Sequence, residues 1–123
     1  MAKPVIEPGP DHPITIEKND VHVQVCTPSG HVVADTTNAL TLTEATIPPV
    51  LYIPLADLDD SVLERTKTTS YCPYKGEANY FSIKDGDQTL TDTIWFYEHP
   101  HDAVSEITDH AAFYTDRVQV STG

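Results

Sequence analysis

A chain of 123 residues predicts one domain, which is large enough to fold without a metal or a disulfide. Its formal net charge of −12 repels phosphate backbones and anionic lipids, so we expect no nucleic-acid and no membrane partner. No secretory signal and no long apolar segment is recognisable. We therefore expect a cytoplasmic protein, in which Cys26 and Cys72 are free thiols.

The ends of the chain are predicted to be tails. Residues 1–11 include Pro4, Pro8 and Pro10 and hold little that could be buried, which is typical of a flexible or extended segment. The domain itself is predicted over residues 12–120, and residues 121–123 form a short second tail.

The first half of the predicted domain consists of short strands. Residues 14–16 alternate between apolar and polar side chains, and residues 21–25 do the same over a longer stretch. The turn sequence Thr-Pro-Ser-Gly leads from there into residues 31–34, which predicts a hairpin. Further strands are predicted at residues 40–43 and 50–53.

The middle of the chain combines helical turns with a second hairpin. In residues 55–63 the spacing of the leucines and valine suits one or two helical turns. Residues 78–84 and 88–97 read as two strands that are joined by Asp85-Gly86-Asp87, a sequence typical of tight hairpin turns.

One longer helix is predicted over residues 100–113. Pro100 suits its first turn, and Val104, Ile107, Ala111 and Tyr114 make one apolar stripe at helical spacing. A last short strand is predicted at residues 117–120. The sequence therefore predicts an α+β domain that is mainly β, with an antiparallel sheet and one C-terminal helix before the last strand.

The most specific motif of the sequence is Tyr-Cys-Pro-Tyr-Lys-Gly, and others are His-Pro-Ile-Thr-Ile near the start and Ala-Phe-Tyr near the end. Together these motifs resemble a known family, domain of unknown function 427, over residues 12 to about 118. The resemblance implies a small, strongly bent antiparallel sheet of the β-tent type, related in shape to zinc-binding domains but without the metal. The family is sometimes labelled a nucleotidyltransferase, which makes that activity one alternative.

No metal site and no cofactor are predicted. A structural zinc site would need paired Cys-x-x-Cys motifs, and the sequence has none. The cluster Glu98-His99-Pro100-His101-Asp102 is explained by the start of the predicted helix. The glycine-rich loops that bind nucleotide phosphates are also missing from the sequence.

The predicted site is a groove for a small anionic or carbonyl-bearing ligand. It combines a lysine and a glutamate with aromatic side chains, as ligand pockets often do. The predicted residues are Tyr52, Tyr71, Cys72, Tyr74, Lys75, Glu77, Trp95 and Tyr97. Lys75 would orient the ligand in this hypothesis, whereas in the plainer alternative it only pairs with a nearby acid.

Other functions stay open on the sequence alone. The same aromatic side chains could form a surface for a partner protein or for a homodimer. Lys75 could also lower the pKa of the Cys72 thiol and give it a redox role, although a buried structural thiol explains Cys72 as well. The sequence does not decide between an enzyme and a binding module.

Overall fold

A computed structural model describes residues 3–123. Within this range the chain forms β-strands and three short 3₁₀ helices. The strands are β1 (Ile14–Asn19), β2 (Val23–Cys26), β3 (Val32–Thr36), β4 (Ala39–Glu44), β5 (Ile47–Pro54), β6 (Leu63–Cys72), β7 (Gly76–Asp85), β8 (Gln88–Phe96), β9 (His110–Phe113) and β10 (Gln119–Thr122). The 3₁₀ helices are Leu55–Asp57, Asp60–Val62 and Asp102–Ile107.

The strands form two antiparallel sheets. The large sheet has seven strands in the order β1-β4-β5-β9-β8-β7-β6, and the small sheet has three in the order β10-β2-β3. Both predicted hairpins are present, because Val25 pairs with Ala34 and Asp85 pairs with Gln88. The prediction of a mainly β, antiparallel domain is confirmed, and the tent-like bend of the sheet stays a prediction.

The central strands of the large sheet are buried on both faces, and alternation along β8 shows why. Ile94 and Phe96 belong to one apolar cluster, which fills the space between the two sheets. Trp95 and Tyr97 point the opposite way, as neighbouring residues of a strand must, and join a second cluster. That second cluster also contains Ile107 of the last 3₁₀ helix, and the candidate site lies beside it.

The prediction of a helix over residues 100–113 is wrong. The chain is helical only over Asp102–Ile107, in 3₁₀ geometry, and Val104 already departs from it with φ −127° and ψ 30°. Asp109 then takes a positive φ of 60°, and β9 follows as an inner strand of the large sheet. An inner strand buries consecutive residues on both faces. The run of apolar residues in β9 therefore also fits the spacing of an apolar stripe on a helix.

The predicted tails both make contacts with the domain. The backbone N–H of Ile6 donates to the carbonyl oxygen of Pro73 at 3.0 Å, and the Tyr71 hydroxyl donates to the carbonyl oxygen of Pro4 at 2.6 Å. At the other end, Ser121 and Thr122 belong to β10. Residues 1 and 2 of the predicted tail lie outside the described residues.

Candidate functional site

A cavity of about 370 Å³ opens on the face of the large sheet that carries the second apolar cluster. Strands β4 and β5 form one side of it, and the ends of β6, β7 and β8 form the other. Its polar or aromatic lining residues are Glu44, Tyr52, Ser70, Cys72, Lys75, Tyr80, Trp95, Tyr97 and Tyr114.

The structure divides the predicted site residues into two groups. Tyr52, Cys72, Lys75, Trp95 and Tyr97 line the cavity. The other predicted residues lie outside the cavity wall, on the far side of the β6–β7 turn. This second group consists of Tyr71, Tyr74 and Glu77.

The residues outside the cavity make other contacts. The Tyr71 hydroxyl lies 3.1 Å from Nε2 of His101. The Tyr74 ring stacks on the His12 ring, with 3.9 Å between the ring centroids. Glu77 is exposed and its carboxylate lies 3.3 Å from Nζ of Lys3. These residues support the turn from outside and do not face a ligand in the cavity.

A tight turn places Lys75 in the cavity wall. The backbone N–H of Lys75 donates to the carbonyl oxygen of Cys72 at 3.2 Å, and the Lys75 carbonyl oxygen accepts from the N–H of His101 at 2.9 Å. Gly76 follows with a φ of +113°, a conformation that glycine adopts easily. This turn is the structural reason for the Cys-Pro-Tyr-Lys-Gly sequence.

Lys75 is paired with Glu44, a residue that the sequence analysis did not include. The Lys75 ammonium donates to Oε1 of Glu44, and Oε2 of Glu44 lies 2.7 Å from Nε2 of His12. The side chains of Lys75 and Glu44 are only 12% and 10% exposed. The positive charge in the cavity is therefore balanced by a carboxylate within hydrogen-bonding distance.

The pKa of Glu44 is lowered in this network. Burial by itself disfavours the charged carboxylate, but the hydrogen bonds from Lys75 and His12 outweigh it and lower the pKa. Glu44 is therefore ionised at neutral pH. The pair leaves the cavity with both a strong donor and a strong acceptor and with little net charge.

Two phenol groups in the cavity stay protonated. Burial raises the pKa of Tyr52 to about 12, although a hydrogen bond from Trp95 opposes the shift. Burial also raises the pKa of Tyr97, and the nearby Tyr52 hydroxyl and Cys72 thiol raise it further. Both hydroxyls can therefore donate a hydrogen bond to a ligand.

The Tyr97 hydroxyl has no hydrogen-bond partner among residues 3–123, although Tyr97 is only 4% exposed. Every described side-chain nitrogen or oxygen that is sealed from solvent does have a partner. The Tyr97 oxygen must therefore be reached from the cavity that Tyr97 lines. Tyr52 accepts from Nε1 of Trp95 at 3.2 Å, which leaves its own proton free as well.

Aromatic rings form much of the remaining wall. The Trp95 ring meets the Tyr52 ring edge to face, with 6.5 Å between centroids. On its other side it lies 4.7 Å from the ring of Tyr114. Flat apolar surfaces of this kind suit a planar group of a ligand.

The sequence analysis missed Glu44, Ser70, Tyr80 and Tyr114 as lining residues. The alternation along β6 and β7 was the signal that could have found two of them. Ser70 shares a face with Cys72 two residues later, and Tyr80 belongs to the same cluster as Ala78. The position of Glu44 depends on the pairing of distant strands and had no local signal.

Within the described part of the chain, no three His, Cys, Asp or Glu side chains come together in a way that could hold a metal ion. Among the same residues, no helix is both long and apolar enough to span a membrane. Both cysteines are free thiols in this structure.

The sequence of the chain matches a family whose function is not known. The model of the family described as Domain of unknown function (DUF427) matches residues 15–122. The chain therefore belongs to this family, and the resemblance noted in the sequence is confirmed. No curated protein matches the chain.

Proposed function

We propose that the protein binds a small, neutral, carbonyl-bearing molecule, such as an amide, in the cavity beside Glu44 and Lys75. The observation that carries the proposal is the unpartnered hydroxyl of Tyr97, a buried side chain that lines the cavity. A hydroxyl that faces an open cavity is free to donate to a bound ligand, and a ligand that supplies the acceptor replaces the hydrogen bond that the hydroxyl would otherwise make with solvent.

The donors favour a carbonyl oxygen as the acceptor. Tyr52 and Tyr97 both line the cavity, and each hydroxyl has a proton to donate in a hydrogen bond. A carbonyl oxygen has two lone pairs and can accept from both. Two such donors would also polarise the C=O bond, which is how enzymes stabilise charge that develops on oxygen.

The charge in the cavity favours a neutral ligand over an anion. Glu44 already neutralises Lys75, so an anionic ligand would have to displace Glu44 or lie beside its charge. An amide group instead offers an acceptor for the hydroxyls and an N–H donor for Glu44. The anionic ligand that the sequence suggested is therefore the weaker form of the same hypothesis.

Benzamide and benzoate make a matched pair of probes. They have the same ring, which can pack on Trp95, and they differ in the charge of the head group. Titrations followed by amide chemical shifts in NMR should show that benzamide binds and that it perturbs residues around Tyr97 and Lys75. We expect at least about threefold weaker binding of benzoate, the size of a modest electrostatic penalty.

The Tyr97→Phe variant tests the hydroxyl directly. Loss of one hydrogen bond should weaken benzamide binding by about threefold to tenfold. Tyr74→Phe is the matched control, because it removes a hydroxyl outside the cavity and keeps the ring that stacks on His12. If benzamide does not bind, or if both variants bind it as the parent does, the proposed function is wrong.

Catalysis, the nucleotidyltransferase activity of the family label, a thiol function of Cys72 and a role as an interaction module all stay predictions. The benzamide titration tests only the binding of a carbonyl group beside Tyr97 and leaves these predictions open.

A further inference from the structure

A second cavity, of about 490 Å³, adjoins the first. It lies toward the space between the two sheets and is lined mainly by apolar side chains. Residues that belong only to this second cavity include Val25, Leu51, Ile53, Phe113 and Val120. The two cavities share Ile47, Pro48, Val50, Trp95 and Tyr114 in their walls.

The shared wall lies where two neighbouring strands of the large sheet separate. Strands β5 and β9 pair only at Ile53 with Ala111 and at Pro54 with His110. Beyond that point β9 continues along β8, because Phe113 pairs with Ile94. The first half of β5 therefore has β4 on one side and no paired strand on the other.

The sequence explains why this gap does not close. Pro48 and Pro49 lie in the first half of β5, and proline has no N–H to donate to a neighbouring strand. Tyr114, just past the end of β9, donates its backbone N–H to the carbonyl oxygen of Thr93 in β8 at 2.9 Å and not to β5. The gap thus runs between a proline-rich strand start and the aromatic residue Tyr114.

We infer that the ligand is amphipathic, with its carbonyl head group in the first cavity and an apolar tail that passes through this gap into the second. The inference rests on the proposed function and adds the class of ligand to it. Its support is the common wall of the two cavities, the unpaired strand between them and the apolar side chains that line the second cavity. Ile47 and Tyr114, at 49% and 40% exposed, offer the tail apolar surface at the gap.

The test compares benzamide with 4-butylbenzamide, which adds a four-carbon tail to the same head group. Each buried carbon should strengthen binding by about twofold to fourfold, so the tail should improve affinity by at least about tenfold. In NMR titrations the tailed compound alone should perturb the amide signals of Val25 and Val120. Equal affinity of the two compounds would overturn the inference and leave the proposed function in place.

A narrowing variant locates the tail. Val120→Phe adds bulk to the second cavity only, and Val120 is 37% exposed, so the larger ring can be accommodated without loss of the fold. It should reduce the binding of 4-butylbenzamide toward that of benzamide and leave benzamide binding unchanged. Val32→Phe is the control, since Val32 has similar exposure and lines neither cavity.

Two other outcomes would also overturn the inference. A Val120→Phe variant that binds both compounds as the parent does would show that the tail lies elsewhere. Light scattering that finds a dimer in the parent and a monomer in Val120→Phe would assign the second cavity to a contact between two copies. If neither compound binds to the parent protein, the proposed function fails together with the inference.

Discussion

Glu44 connects three parts of the chain through one carboxylate. It accepts from Lys75 of the β6–β7 turn and lies within hydrogen-bonding distance of His12, near the chain start. His12 in turn stacks on Tyr74 of the same turn. A charged group that satisfies both neighbours in a nearly buried place contributes to stability and also sets the charge of the cavity.

We predict that Glu44→Gln destabilises the protein by about 1–3 kcal/mol, because it leaves the Lys75 ammonium with a weaker acceptor. The folded pKa of Glu44 is lowered from its ordinary value of 4.5. Its contribution is therefore complete above about pH 5 and is lost as the pH falls through the folded pKa. Urea unfolding at several pH values should show the parent and the variant converging in acid.

Glu77→Gln is the control for this experiment. Glu77 is part of the same motif, but its side chain is 53% exposed and its one ion-pair partner among residues 3–123 is Lys3, so the change should have little effect. Equal losses in the two variants, or a gap between parent and Glu44→Gln that stays constant down to pH 3, would contradict the role given to Glu44.

The sequence located the candidate site in part. It identified the motif around Cys72 and Lys75, which does form the cavity wall. Tyr71, Tyr74 and Glu77 were assigned to the cavity and lie outside it. Alternation along β6 and β7 places Tyr71 on the face opposite to Cys72 and Glu77 on the face opposite to Ala78, whereas Tyr74 lies in the turn, where alternation gives no signal.

Among the elements, the hairpins were the easiest to predict and β9 the hardest. Asp-Gly and Pro-Ser-Gly turns specify hairpins locally, so β2–β3 and β7–β8 pair as the sequence indicated. β9 has only four residues and depends on β5 and β8 for its hydrogen bonds. Its conformation is decided by the sheet, which a local pattern of apolar residues does not reveal.

The carboxylate of Asp85 connects the two sheets through hydrogen bonds. Asp85 ends β7 of the large sheet and is only 7% exposed. It accepts from the Thr27 hydroxyl at 2.8 Å and from the backbone N–H of Ser29 at 3.2 Å, in the turn between β2 and β3. Hydrogen bonds from Ser29 and Thr27 lower the pKa of Asp85 below its ordinary value.

We predict that Asp85→Asn lowers the melting temperature at neutral pH, because an amide replaces a carboxylate that accepts several hydrogen bonds. Since the folded pKa is lowered from 3.8, the stabilisation is present above that value and is lost as the pH falls through the folded pKa. Thermal unfolding followed by circular dichroism should show a difference between parent and variant that shrinks in acid. Asp87→Asn, at the exposed tip of the same hairpin, should leave the melting temperature unchanged at every pH.

At the scale of the whole molecule, the large sheet separates two apolar clusters and leaves one gap between β5 and β9. The sequence predicted the antiparallel class but could not predict this division. The order of the strands brings β9 between β5 and β8, which are far apart in the chain. The proposed site is a product of that order, because its walls come from residues 42–52 and 70–114, which are separate segments of the chain.

The N-terminal segment contacts the β6–β7 turn, and its deletion tests whether these contacts stabilise the fold. Residues 3–6 lie beside the β6–β7 turn, and Pro4 and Ile6 are hydrogen-bonded to Tyr71 and Pro73. If the segment were the flexible tail that the sequence predicted, its removal would change nothing. The contacts instead predict that deletion of residues 1–8 costs about 1–2 kcal/mol, the net worth of two hydrogen bonds.

The double variant separates this contact from a general effect of shortening. Tyr71→Phe should destabilise the full chain, since the Tyr71 hydroxyl loses its bond to Pro4. In the chain that lacks residues 1–8, the same substitution should cost less, because that bond is already gone and only the contact with His101 remains. Urea unfolding of the four proteins gives the coupling between the two changes. Additive losses would mean that the N-terminal segment does not hold the turn, and that the cavity wall is stable without it.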